Sequence, residues 1–369
     1  MTPEHRFCET CGAPLSPGVR FCEECGSQVA VAPTAAPPKT PPAVPPPVVP
    51  ADRPIAVIPF AYTQAGIFSV AHCTLVIYPD QVVVAYVPRA RAVETDRAKR
   101  DIEAALVEDE ADPRAFWELA AGAGLALPSR RETGTSLPWE AYAAMPPGAA
   151  LAEDPRNRAV RRDAIVYVRG ESDSDTGTDQ VLIRSKDGLQ TVYFELGTFF
   201  VARKALLSLL MPGTGDREPV LGLLPWGSEP QVDGFGFQYG WNLVVTDRRI
   251  VFNMVEDAFA DESEVWLRAR EKEAKAAGSE WRDLDEVGRP GSPWQRLAGR
   301  PIPELLSNDV NFFIPLHVIG AVEVVPRARR HADEVRFILP GEVLTFAFPE
   351  GSAAHARSVL ERAVPGRVR

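Results

Sequence analysis

Five cysteines occur in the 369 residues, and four of them, Cys8, Cys11, Cys22 and Cys25, form two CxxC pairs near the start. The unit Phe7-Cys8-Glu9-Thr10-Cys11-Gly12 recurs fourteen residues on as Phe21-Cys22-Glu23-Glu24-Cys25-Gly26. A CxxC turn sets both sulfurs on one side, and the glycine after it can take the positive φ such a turn requires. Two facing knuckles supply four thiolates, which is a complete tetrahedral shell for one structural Zn2+. A dithiol redox site would need only one CxxC, and two disulfides would need an oxidising compartment. A piece of about 25 residues cannot bury an adequate core, so the metal is expected to supply its folding energy.

The segment resembles the short zinc ribbons found at the N-termini of many bacterial and archaeal proteins, and the resemblance implies a structural metal. His5 lies outside the spacing. With only Arg6 and Arg20 as cations, the ribbon offers nucleic acid little to hold.

Composition bounds the rest. A net charge of −10, with 45% hydrophobic and 24% charged residues, describes a globular protein without the broad positive face that nucleic acid or anionic membrane requires. The sequence contains no apolar run long enough to span a bilayer, and the N-terminus lacks a secretory signal, so a cytoplasmic protein is expected. Residues 30–53 are a Pro/Ala/Val tract that cannot form a core. Such a spacer is semi-rigid at about 3.1 Å per residue.

From residue 54 onward the chain reads as one domain written twice. LVIYPDQVVV at residues 75–84 and LVVTDRRIVF at 243–252 each place a polar turn between two apolar runs. Pro138-Trp139 recurs as Pro293-Trp294. Downstream, Ile165, Val181, Thr191, Phe194, Gly197 and Ala202-Arg203 recur 154 positions later as Ile319, Val335, Thr345, Phe348, Gly351 and Ala356-Arg357. Short apolar strands flank the hairpin, and a helical insertion follows it, with Ala98, Ile102, Ala105 and Leu106 at helical spacing in the first copy and EVWLRAREKEAKAA in the second. Further strands and a closing helix complete each copy, with Thr198 and Ser352 as expected N-caps. The domain boundaries follow as 1–29 for the ribbon, 30–53 for the linker, and 54–213 and 214–369 for the two copies.

A curled antiparallel sheet closed by a C-terminal helix is an α+β plan. The second copy, with GWNLVVTDRRIVFN, IPLHVIGAVEVV, EVRFIL and LTFAF, resembles the bacterial PH and GRAM-like domains and their TxxRhhF hairpin. The multidomain reading is therefore a four-cysteine zinc ribbon followed by two PH-like domains, each with a helical insertion.

The resemblance specifies a fold and no reaction. PH-like domains that bind phosphoinositides use cations in their first loop, and AYTQAG and PWGSEPQVD carry none. Basic clusters lie elsewhere, at Arg156, Arg158, Arg161 and Arg162, and at Arg327, Arg329 and Arg330, where an anionic partner or lipid could be held. ESDSDTGTD, with Asp173, Asp175 and Asp179, lacks the last ligand of a calcium loop. His72 and Cys73 are expected to be a buried core pair, and Trp139 and Trp294 core anchors. GFGFQYG lacks a phosphate-loop pattern, and no catalytic motif occurs. The sequence thus points to a non-catalytic adaptor with a protein partner; an anionic-ligand or membrane surface is the alternative, and nucleic-acid or small-molecule roles rank below both.

Overall fold

The computed structural model describes residues 6–7, 14–15, 52–66, 69–108, 112–122, 139–173, 178–211, 218–229, 240–277, 287–329 and 332–369. Two compact units result, Met1–Val48 and Val49–Arg369. In the first, β1 (Arg6–Phe7) pairs antiparallel with β2 (Pro14–Leu15), Phe7 opposite Pro14. The four cysteines and the proline tract up to residue 51 lie outside the described residues.

The second unit is built on two seven-stranded antiparallel sheets. The first holds β3 (Ala56–Gly66), β4 (Ser69–Ile77), β5 (Gln81–Tyr86), β6 (Arg158–Arg161), β7 (Ile165–Asp173), β8 (Thr178–Ser185) and β9 (Gly188–Phe194), in the order β6-β5-β4-β3-β9-β8-β7. Helices α1 (Arg89–Glu108), α2 (Pro113–Gly122) and α3 (Pro147–Ala152) interrupt it between β5 and β6, and α4 (Thr198–Leu210) follows it. The second holds β10 (Val220–Ser228), β11 (Gly240–Thr246), β12 (Arg249–Met254), β13 (Phe312–Pro315), β14 (Ala321–Arg329), β15 (Ala332–Leu339) and β16 (Glu342–Pro349), in the equivalent order. Helices α5 (Asp257–Ala276), α6 (Pro293–Ala298) and α7 (Ile302–Leu305) fall between β12 and β13, and α8 (Ala353–Ala363) ends the chain's helices.

The repeat extends to register. Ile77 opposite Val82 recurs as Val245 opposite Ile250, each 168 positions on. Val181 opposite Val192 recurs as Val335 opposite Phe346, each 154 positions on. Both first strands carry an irregularity at the same place, between Ile58 and Ala61 and between Leu224 and Gly227. Within it Phe60 and Trp226 adopt φ of 56° and 60°, a left-handed conformation unfavourable for aromatic residues. The distortion brings each ring onto the tryptophan of its insertion: Phe60 meets Trp139 at 4.8 Å and 70°, and Trp226 meets Trp294 at 5.0 Å and 73°. Edge-to-face aromatic pairs of this kind favour the strained backbone by about 1 kcal/mol beyond their buried area.

Those contacts explain the insertions. In the second copy, Trp241, Leu243 and Val245 of β11 point into the sheet's inner core, while Val244 joins Val251, Trp294, Leu297 and Leu305 in a separate core on the other face. A strand buried on both faces needs no alternation, which is why the hairpin reads as continuous apolar runs. Ala98, Ile102 and Leu106 of α1, with Trp117, Trp139 and Tyr142, cover the first copy in the same way.

Three expectations change in detail. Cys73 is buried, but His72 is exposed: it closes the first half of β4, Ser69–His72, whose residues are exposed or half-buried, whereas Cys73–Ile77 are buried on both faces. Thr198 is the first residue of α4, preceded by left-handed Gly197, and its hydroxyl donates back to the Glu195 carbonyl at 2.9 Å. Ser352 occupies the N-cap position of α8 without a capping hydrogen bond; the carboxylate of Asp333 instead accepts from Ala353 N at 2.7 Å. Tertiary proximity replaced a local cap with a carboxylate from β15.

Candidate functional site

The polar hairpin centre that marks the second copy is structural. The Thr246 hydroxyl donates toward Glu218 Oε2 at 2.9 Å and accepts from Arg249 N at 3.0 Å. Arg249 forms a buried ion pair with Glu218, Nη2 to Oε1 at 2.7 Å, and its guanidinium lies 4.6 Å from the Phe313 ring centroid. In the first copy Tyr78 occupies the place of Thr246, and its hydroxyl donates to the Met145 carbonyl at 2.9 Å. Burial raises that phenol to about 12.

A second repeated device ties each insertion to its sheet. Asn157 Oδ1 accepts from Tyr86 N and its Nδ2 donates to the Ala150 carbonyl, both at 2.7 Å. Asn311, its counterpart, accepts from Met254 N and donates to the Leu305 carbonyl, also both at 2.7 Å. An amide is suited to this position because it offers an acceptor and a donor on one planar group.

The seam between the two sheets is a continuous structural interface. Val166 and Tyr167 of β7 belong to the apolar core of the second copy. A Cβ on Gly170 would lie 2.4 Å from the Asp309 carbonyl oxygen, so only glycine permits this approach. Arginines of the first copy surround that contact. Arg169 binds Glu229 at 2.7 Å and also lies over the Trp241 and Phe312 rings; burial opposes its charge, yet the Glu229 carboxylate leaves its pKa raised. Arg184 reaches Glu342 at 3.2 Å and donates to the Gly341 carbonyl. The Tyr167 hydroxyl donates to Glu342 at 2.9 Å.

Arg203 is 5% exposed and donates to the carbonyls of Leu306, Asn308 and Asn311 at 3.0, 2.7 and 2.6 Å. Burial lowers it to about 10, still far above neutrality. Arg169 and Arg184 did not stand out in the sequence, and Arg203 did so only as half of the Ala202-Arg203 repeat match. The signal was divergence: 154 positions on, Arg169 and Arg184 become Glu323 and Ile338.

Among the described residues, several arginines of the basic clusters are paired with neighbouring carboxylates. Arg156 is engaged with Asp154, Nε to Oδ1 at 2.9 Å and Nη2 to Oδ2 at 2.8 Å, and lies over Tyr86. Arg161 binds Asp163 in the same bidentate manner at 3.0 and 2.9 Å. Arg158 is exposed on β6, and Arg162 is half-buried at the end of that strand. Arg327 pairs with Glu350 at 2.9 Å. Arg330 and the side chain of Arg329 lie outside the described residues, as do Asp175 and the side chain of Asp173. Asp179 is the repeat counterpart of Asp333, the carboxylate that holds the start of α8. Trp139 and Trp294 are 1% and 0% exposed, in keeping with anchors. Among the described residues no helix is long and apolar enough to cross a membrane.

Residues 7–29 match the model of the zinc-ribbon domain. Comparison with curated proteins yields no match. The protein is therefore multidomain: an N-terminal zinc-ribbon domain precedes two seven-stranded antiparallel sheets with their helices. The cysteine donor set fits a zinc ion, because four thiolates in two CxxC pairs supply four soft ligands.

Proposed function

We propose that this protein is a non-catalytic cytoplasmic adaptor, in which a zinc ribbon on a proline-rich spacer engages one partner and tandem PH-like domains dock another protein. One Zn2+ held by Cys8, Cys11, Cys22 and Cys25 serves a structural role in this reading. The observation that carries the second half is the doubled strand order, in which the first four strands and the last three meet through β3–β9 and β10–β16, with a helix after the last strand. That layout supports the PH-like reading.

A protein surface is favoured over a membrane because Arg156, Arg161 and Arg327 are neutralised by adjacent carboxylates. A peripheral membrane face would present several unpaired cations together. Flotation of the full chain with neutral and anionic liposomes across a salt series separates the two. The adaptor reading expects no flotation with either, together with proteins that co-purify with the wild type and are lost on Cys22→Ser/Cys25→Ser substitution. Salt-sensitive flotation with anionic liposomes would replace it with a membrane-surface role.

A further inference from the structure

The two walls of one cleft in the sheet unit are the same segment taken from each copy. Arg161 ends β6 and Pro315 ends β13; with Arg162, Asp163 and His317 just beyond them, they contribute to a cavity of about 790 Å³ that Leu210 also lines. Their backbones are held alike, Arg162 N donating to the Asp80 carbonyl at 2.8 Å and Leu316 N to the Arg248 carbonyl at 2.9 Å. The fold therefore sets the same local geometry twice, and only the side chains differ.

The difference is one of chemistry. Leu316 is buried in the apolar core of its copy, whereas its counterpart Arg162 is half-buried and lines the cleft. A leucine satisfies the fold at this position, so packing does not require the arginine. Asp163 likewise corresponds to His317. Arg161, by contrast, is held by its hydrogen bonds to Asp163, with Asp80 adding to the field that raises its pKa. Among the described residues, the side chains of Arg162 and His317 have no hydrogen-bond or ion-pair partner. The cleft thus brings a guanidinium from one copy and an imidazole from the other beside apolar Ile165 and Leu210, in a lining that also holds the carboxylates of Asp80 and Asp163, the latter bound by Arg161. A pocket between domains, of this size, that combines apolar walls with convergent polar groups is suited to a small ligand.

We infer that the cleft binds a molecule bearing a carboxylate or phosphate on an apolar body, with Arg162 as the anchor for the anion, His317 as a second donor and Leu210 against the tail. This goes beyond the adaptor reading and does not depend on it. A guanidinium binds either anion through paired donors, and the same chemistry is offered by a free acid or by a lipid headgroup.

The test titrates the full-length protein with hexanoate, hexyl phosphate and hexylammonium, following the His317 ring resonances by NMR, and separately with vesicles containing anionic lipid. Saturable shifts are expected with the two anions and not with the ammonium. Arg162→Leu restores the residue found in the other copy and should retain the wild-type melting temperature while weakening anion binding by roughly tenfold or more. His317→Gln should weaken it less, read by calorimetry, and Arg158→Gln, on the exposed edge of β6, should leave it unchanged. Vesicle binding lost in Arg162→Leu would identify the source as a headgroup; anion binding without vesicle binding would identify a free acid or phosphate. Absence of anion binding at millimolar concentration, equal binding of hexylammonium, or unchanged binding by Arg162→Leu would overturn the assignment.

Discussion

Replacing Asn311 by alanine removes the acceptor for Met254 N and the shorter of two hydrogen bonds to the Leu305 carbonyl, which keeps Asn253 Nδ2 at 3.1 Å. Asn311 is 1% exposed, so water cannot readily substitute for either. An unmet buried donor costs about 1–3 kcal/mol and the lost bond to Leu305 about 1 kcal/mol more, which places Asn311→Ala at about 2–4 kcal/mol. Asn157 makes the same two bonds in the first copy but is only half-buried, and solvent can compensate in part. Asn157→Ala should therefore cost about 1–2 kcal/mol. Asn311→Asp keeps an acceptor for Met254 N but sets a carboxylate oxygen against the Leu305 carbonyl, and should be at least as damaging as alanine. Urea unfolding followed by tryptophan fluorescence measures all three, with the m-value checking that the transition is unchanged in character. A cost below 1 kcal/mol for Asn311→Ala, or equal costs in the two copies, would refute the claim that the buried amide brackets the insertion and that burial sets its worth.

Glu218→Ala leaves the Arg249 guanidinium buried without its carboxylate and should destabilise by about 3–5 kcal/mol in the same urea assay, whereas Glu264→Ala on the exposed face of α5 should cost under about 1 kcal/mol. Burial raises the Cys73 thiol to about 12, so this cysteine should stay unreactive to maleimide at pH 8 until the sheet unfolds, as mass spectrometry of labelled peptides would reveal. Hydrogen bonds from Arg156 hold the Asp154 carboxyl down at about 2. Its folded value lies below the unfolded one, so its stabilisation is complete above about pH 4 and is lost as pH falls toward 2; carboxyl NMR titration should show the low midpoint in wild type and Arg156→Ala should return it toward the ordinary range. Chelation should release one zinc per chain and alter residues 1–29 while the melting of Val49–Arg369 stays unchanged, measured by metal analysis and calorimetry.

The sequence alone determined the CxxC pairs, the doubling and the strand periodicity, because ligand spacing, offset and local apolar pattern are properties of the chain read in order. The offset of 154 predicted strand pairs that the structure places in equivalent register, Val181 with Val192 and Val335 with Phe346. Pro-Trp recurrence likewise marked the anchors at Trp139 and Trp294. Local caps were misjudged at Thr198 and Ser352, since the group that meets the start of α8 comes from Asp333, distant in sequence. The insertions' role was not legible either, because a helix-rich segment does not announce which sheet face it will cover. Only tertiary structure decided that the copies share a core through Val166 and Tyr167, that Arg203 would donate to carbonyls more than one hundred residues away, and that residues 161–163 and 315–317 would line one cleft. Each depends on how two folded copies pack against each other, and the energies of that packing reside in contacts between positions no local pattern connects.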